Sequence, residues 1–258
     1  MRNKVDIIVS CYNEEDNIFA YYNEAKKYLK DKKYVYNIYY INDGSRDKTY
    51  EKILELKKKV SKERNSAVKI SYLSFIHNFG HEAAMCAGMN TSKADYMIVM
   101  DVDLQNPPQK IPEILKKFEQ GADCVLLKRV QYKNVSLMKK ITSNGYYLFS
   151  KYILRNVNER NVSDFFAVDK TLAKKVNDNY KTRLRFIRGF VQREATCIKK
   201  VNFKNGIRFS GVSRYNYYVL TKLAIISELS RSKFLRNRFK ATKEKPIYII
   251  DKKRTKYE

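Results

Sequence analysis

The stretch Met97-Ile98-Val99-Met100-Asp101-Val102-Asp103-Leu104-Gln105-Asn106-Pro107-Pro108 decides the fold. Its apolar run reads as a buried strand that ends on two acids one residue apart. The amides and the Pro-Pro pair that follow can only open a turn or a first helical turn. Two carboxylates at this spacing cannot both hide in an apolar sheet without a cation, because isolated buried charge is very costly. Hard divalent ions such as Mg²⁺ and Mn²⁺ prefer oxygen ligands and commonly sit on one or two carboxylates plus substrate phosphates. The residues therefore point to a metal–diphosphate site at a strand's carboxyl end. Taken alone, an Asp-x-Asp also fits a solvated strand-to-loop turn.

Strand and helix patterns alternate around this segment. Val5–Cys11 is β-rich, and Asn13-Glu14-Glu15-Asp16 leads into a helix ending near Lys30. Val35–Ile41 is a second strand, closed by Asn42-Asp43-Gly44-Ser45 and followed by a helix to about Lys62. Val68–Phe75 is a third strand, before an Ala-rich helix from Gly80 to about Asn90. Tyr96–Met100 is the fourth; a helix over Pro108–Gln120 ends at Gly121, and Cys124–Leu127 is the fifth. Such alternation predicts an α/β domain, a mainly parallel sheet with helices on both faces. Ligands then bind in the crevice beyond the strands' carboxyl ends. Four polar clusters fall at those ends: Tyr12-Asn13-Glu14, Asn42 to Ser45, His77 to His81, and Asp101-x-Asp103.

The second half is less regular. Val135–Leu154 and Tyr217–Leu229 read as amphipathic helices, the latter with Leu220, Leu223, Ile226 and Leu229 on one face. Asp164–Asp169 reads as a strand, Arg185–Phe190 as a short basic helix or turn, and Ala195–Phe203 as a strand. From Arg231 to Glu258 there are 11 Lys/Arg against 3 Asp/Glu, and this tail is expected to be mostly irregular and surface-lying. The expected division is a catalytic domain over 1–215 and an amphipathic helix with a basic tail over 216–258.

Across 258 residues, 53 Lys+Arg stand against 27 Asp+Glu, a net charge of +26 that favours anionic partners. No helix-turn-helix, zinc or RNA-recognition signature is present, and acids at strand ends repel bare phosphate, so nucleic acid is not expected as a partner. Neither G-x-G-x-x-G nor G-x-x-x-x-G-K-[ST] occurs, which disfavours dinucleotide oxidoreductases and P-loop enzymes. Cys11, Cys86, Cys124 and Cys197 show no CxxC pair and are expected to be free thiols in a reducing compartment. There is no signal-peptide core and no run of about 18 apolar residues. A cytoplasmic chain, peripheral at the inner face of the membrane, is the expectation, and an anionic membrane surface is an expected partner.

Together these residues resemble the family 2 glycosyltransferases of GT-A fold, and among them the polyprenyl-phosphate hexosyltransferases. The matching segments are Val9-Ser10-Cys11-Tyr12-Asn13-Glu14, Asn42 to Thr49, Asn78-Phe79-Gly80-His81-Glu82-Ala83-Ala84 and Met100 to Pro108. Asp164-Phe165-Phe166, Arg185 to Gly189 and Arg208 to Tyr215 complete them, so the likeness covers roughly residues 5–230. It implies that Tyr12, Glu14 and Asp43 hold the base and ribose of a nucleotide-diphosphate sugar. Asp101 and Asp103, with Gln105, would bind Mg²⁺ or Mn²⁺ on the donor diphosphate. Asp164 matches the acid near the acceptor, and Arg129, Arg208, Ser213 and Arg214 would face phosphates. Arg214 stands where the family has Lys, Asn42 where it usually has Asp, and His77 where an Arg commonly precedes Asn-Phe-Gly. Bacterial relatives usually add two transmembrane helices after the last motif.

The activity this implies is an inverting transfer of a hexose to a polyprenyl phosphate, with Asp103 and Asp164 as the catalytic acids. A glycan hydroxyl acceptor, as in capsule or lipopolysaccharide assembly, is the alternative. Asp164 would be a general base for a hydroxyl acceptor and an orienting or metal-binding group for a phosphate. His81 reads as a hydrogen-bonder at a helix start rather than a ligand. Nothing in the residues excludes an oligomer.

Overall fold

The computed structural model describes residues 2–63, 68–130, 162–204, 206, 226, 229–230 and 232–256. Its elements run β1 (Asn3–Cys11), α1 (Asn17–Ala25), β2 (Tyr34–Asn42), α2 (Thr49–Lys62), β3 (Val68–Ser74), α3 (His81–Thr91) and β4 (Tyr96–Asp101). A 3-10 turn over Pro108–Lys110 leads to α4 (Ile111–Glu119) and β5 (Cys124–Arg129). Then come β6 (Val162–Asp169), α5 (Lys170–Asn179), α6 (Ile187–Glu194), β7 (Ile198–Phe203) and α7 (Lys233–Arg238). The expected helices at Val135–Leu154 and Tyr217–Leu229 lie outside the described residues, apart from Ile226 and Leu229.

One seven-stranded sheet has the order β3-β2-β1-β4-β6-β5-β7. Strands β3, β2, β1 and β4 pair in parallel, as do β5 and β7, while β6 runs antiparallel between β4 and β5. The fold is thus the expected mainly parallel sheet, with one reversed strand. Alternation puts Val5, Ile7 and Val9 of β1 into one core layer and Ile8 into the other. The first layer is covered by α1, α2 and α4 through residues such as Tyr21, Leu56 and Leu115. The second is covered by α3, α5 and α6, through Met85, Leu172 and Phe190 among others. Close approach of α3 to the sheet requires Gly88, where a Cβ would stand 2.3 Å from Cγ2 of Ile8. Asp169 caps α5, its carboxylate accepting from Leu172 N at 2.7 Å. Cys11, Cys86 and Cys124 are buried, and all four cysteines are free.

The tail is irregular apart from α7 and one 3-10 turn at Lys252–Arg254, but it does more than lie on the surface. It returns along β3, whose outer edge would otherwise offer unpaired donors and acceptors. Asp251 N donates to Ser74 O at 2.8 Å, and Tyr72 and Lys256 exchange two backbone bonds at 3.0 and 2.9 Å. The Tyr248 ring stacks on Phe75 at 5.1 Å. No helix among the described residues is long and apolar enough to cross a membrane.

Candidate active site

Parallel register sets Ser10 of β1 beside Asp101 of β4 at the carboxyl end of the sheet. Ser10 Oγ donates to Asp101 Oδ1 at 3.3 Å, and His81 Nδ1, at the first residue of α3, lies 2.9 Å from the same hydroxyl. With the serine proton directed at Asp101, Nδ1 is the donor to Oγ. His81 Nε2 stands 3.6 Å from Asp101 Oδ1. Asn106 Nδ2 donates to the other oxygen, Oδ2, at 3.1 Å. Asp101 is thereby fixed from both sides.

Asp103 is 6% exposed, and its Oδ1 accepts from Gln105 N at 3.1 Å. Between them Leu104 has φ 65°, a conformation that L-residues with bulky side chains rarely adopt. Gln105 O accepts from Gly206 N at 3.0 Å, which ties Gly206 to the acidic loop. The buried Oδ1 of Asn106 has no hydrogen-bond partner. Two acids beside an orphaned amide oxygen form a hard-oxygen donor set of the kind Mg²⁺ and Mn²⁺ prefer. Among the described residues no group of three or more His, Cys, Asp or Glu could hold an ion by itself.

Charge accumulates around this point. Burial raises the Asp101 carboxyl, His81 opposes that rise, and Asp103 and Asp164 reinforce it, while Arg129 lowers it. Burial works against the His81 imidazolium, but Asp101, Asp164, Glu82 and Asp43 outweigh it and the pKa is raised. Glu82 is pushed up to about 7 by burial and then by Asp164, while its Oε2 accepts from Ile187 N at 2.8 Å. Arg188, in the first turn of α6, places Nη1 at 3.0 Å from Asp164 Oδ1 and 2.8 Å from Val162 O.

The neighbouring strand ends form a second group. Asn13, at φ 52°, accepts from Arg46 N at 2.8 Å, and its own N donates to Ser45 Oγ at 3.0 Å. Glu14 N donates to Thr49 Oγ1 at 2.8 Å, and Asn17 Nδ2 donates to Glu14 Oε2 at 2.5 Å. Half-buried Tyr12 sits in this same loop. Asp43 is buried and accepts from Phe79 N, Gly80 N and Asn78 Nδ2 at 2.6, 2.9 and 3.0 Å. Burial nevertheless raises its pKa to about 6, those bonds lowering it only in part. Gly44, with φ 63°, cannot carry a side chain because a Cβ would meet the His77 backbone at 2.3 Å. Asn42 uses its amide as a donor to Ser74 Oγ at 2.9 Å and as an acceptor from Ser45 N at 3.1 Å. An Asp there could not donate. His77 stacks on Phe79 at 4.1 Å.

The fold therefore gathers Asp101, Asp103, Asp164 and Arg129 at one end of the sheet, with Tyr12, Glu14 and Asp43 on the adjoining loops. Arg208, Ser213 and Arg214 lie outside the described residues. Gln105 touches the acidic loop through its backbone bonds to Asp103 and Gly206. The sequence assigns no site role to Ser10, Asn106 or Glu82, and for Arg188 it leaves phosphate binding and loop bracing equally open, although all four lie inside the family-matching segments around Val9–Glu14, Asn78–Ala84, Met100–Pro108 and Arg185–Gly189. His81 is the hydrogen-bonder at a helix start that was expected.

A mainly parallel sheet with β6 reversed and paired acids at the end of β4 fits the GT-A fold, and comparison with known proteins gives the family. The family model for glycosyl transferase family 2 matches residues 6–180, and the chain belongs to that family. The bactoprenol glucosyl transferase of Shigella phage SfV is 32% identical over 234 residues, 90% of this chain and 73% of that protein. The prophage bactoprenol glucosyl transferase homolog of Escherichia coli K12 is 31% identical over 234 residues, with the same shares of 90% and 73%. Among solved structures, glucosyl-3-phosphoglycerate synthase from Mycobacterium tuberculosis with Mn²⁺, UDP and phosphoglyceric acid has a TM-score of 0.58 at 13% identity, covering 89% of this chain and 77% of that one. S. aureus TarS in complex with UDP has a TM-score of 0.54 at 18% identity, covering 89% and 66%.

Proposed function

We propose that this glycosyltransferase moves a hexose from a nucleotide-diphosphate sugar to a polyprenyl phosphate, with inversion, in one in-line displacement. The observation that carries the reading is Asp101, pinned by Ser10 and Asn106 beside Asp103 at the sheet's carboxyl end. The relatives named for bactoprenol transfer support the acceptor, and the UDP complexes of the structural neighbours support the donor.

Asp101 and Asp103, with Gln105 and the orphaned Asn106 Oδ1 at hand, would hold Mg²⁺ or Mn²⁺, which supplies Lewis-acid neutralisation of the departing nucleotide diphosphate. Ser10, His81 and Asn106 keep Asp101 in one orientation, so no reorganisation is needed as charge develops. Tyr12, Glu14 and Asp43 serve the base and ribose. Because Asp43 already accepts three N–H groups from residues 78–80, part of its contribution is to hold that loop. Arg129 adds positive charge to the crevice, and the family resemblance gives Arg208, Ser213 and Arg214 the role of phosphate contacts.

A lipid phosphate is ionised near neutrality and needs little deprotonation, so Asp164, held by Arg188, orients the acceptor. A glycan hydroxyl would instead need Asp164 as its base. Screening nucleotide sugars for Mn²⁺-dependent thermal stabilisation identifies the donor. Radiolabelled product that partitions into organic solvent supports the polyprenyl acceptor, and label left wholly in the aqueous phase rejects it.

A further inference from the structure

We propose that α7 and its flanks form a docking surface for an anionic lipid bilayer. Phe234 is 76% exposed, more than any other large apolar side chain among the described residues. Phe239 and Leu229, near it in sequence, are each 38% exposed, and the Arg183 guanidinium lies 5.8 Å from the Phe239 ring. Residues 232–246 carry six Lys/Arg against the single acid Glu244. Of these, Lys233, Arg238, Lys240, Lys243 and Lys245 are exposed.

The patch is held firmly to the body of the protein. Ser232 caps α7 by accepting from Leu235 N at 3.3 Å. Arg236 turns inward, lying over the Tyr180 ring at 5.1 Å and donating to Ser230 O at 2.9 Å. Arg183 N donates to Phe239 O at 2.9 Å, and Ala241 N to Lys181 O at 3.0 Å. The exposure of Phe234 therefore belongs to a fastened helix.

A bilayer interface matches both halves of this surface, offering anionic headgroups to the basic side chains and the acyl boundary to the aromatic ring. A second copy of the chain would set like charge against like. A polynucleotide would answer the charge and could stack a base on Phe234, but it would leave the aliphatic Leu229 without an apolar partner. The proposal rests on the polyprenyl-phosphate reading only for its purpose, because that acceptor is membrane-borne.

The chain contains no tryptophan, so Phe234→Trp creates a single fluorophore on the patch. With the full chain, phosphatidylglycerol-rich vesicles should shift its emission to the blue and bring the protein down on co-sedimentation, and pure phosphatidylcholine vesicles should do much less. At about fivefold per basic residue, Lys233→Glu with Arg238→Glu should weaken vesicle binding ~25-fold or more. Lys58→Glu with Lys62→Glu on α2 makes the same change in net charge and should leave binding within about twofold. Thermal melting establishes that each variant is folded. Unmoved emission, equal weakening by both pairs, or retention on RNA without vesicle binding would overturn the proposal. Lipid-linked product from a protein that ignores vesicles overturns it while leaving the transferase reading intact, and vesicle binding without lipid-linked product does the reverse.

Discussion

Arg188 holds Asp164: the guanidinium at the start of α6 is 3.0 Å from the carboxylate at the start of β6. The same Nη1 also donates to Val162 O at 2.8 Å, so the arginine is anchored to the strand whose acid it orients. Arg188→Ala should lower kcat by about tenfold to a hundredfold with a smaller change in KM for the donor, and Arg188→Lys should recover part of the loss. Steady-state kinetics with a fixed acceptor checks both.

Asp164→Asn separates the two roles of that acid. A moderate loss of rate is expected if it orients a phosphate acceptor. A fall of several orders of magnitude would identify a general base, and with it a hydroxyl acceptor.

Asp103→Ala should abolish turnover and remove Mn²⁺-dependent thermal stabilisation by the donor nucleotide. Near-normal activity in this variant would take the divalent ion out of the mechanism.

Asp43 makes stability depend on pH in an unusual direction. Its folded pKa of about 6 lies above the ordinary carboxylate value, so the folded chain keeps a proton there that the unfolded chain has released. Its contribution is therefore most favourable at the acid side of this window and falls as pH rises through it. Over the window the change is about 2–3 kcal/mol. Denaturant midpoints of the native chain and Asp43→Asn, measured from pH 4 to pH 7, should fall more steeply in the native chain, the difference being the Asp43 part, because Glu82, raised to about 7, adds the same slope to both.

The tail couples the edge of the sheet to the site. Arg185 donates to Ile247 O at 2.8 Å and to Phe79 O at 3.1 Å, next to the Gly80 that precedes His81. Ending the chain at Pro246 removes this link, the Tyr248–Phe75 stack and the cover of β3. A loss of about 2–4 kcal/mol in unfolding free energy and weaker donor binding are expected, with aggregation through the bared edge. Chemical denaturation and light scattering measure these effects.

Local pattern alone determined a good deal of this protein. The runs at Val5, Val35, Val68, Tyr96 and Cys124 became five strands of the sheet, because buried β-strands write their apolar faces directly into sequence. The place of Asp101 and Asp103 at the end of β4 was legible because two carboxylates closing an apolar run mark where the strand leaves the apolar core. Tertiary structure alone decided the rest. The reversal of β6 is set by its pairing between β4 and β5, and Phe165 and Phe166 suit either direction. Ser10, 91 residues from Asp101, and Arg188, 24 residues from Asp164, join the site only through strand register and helix docking. The tail's place on β3 follows from backbone hydrogen bonding, which any side chains can satisfy and no motif announces.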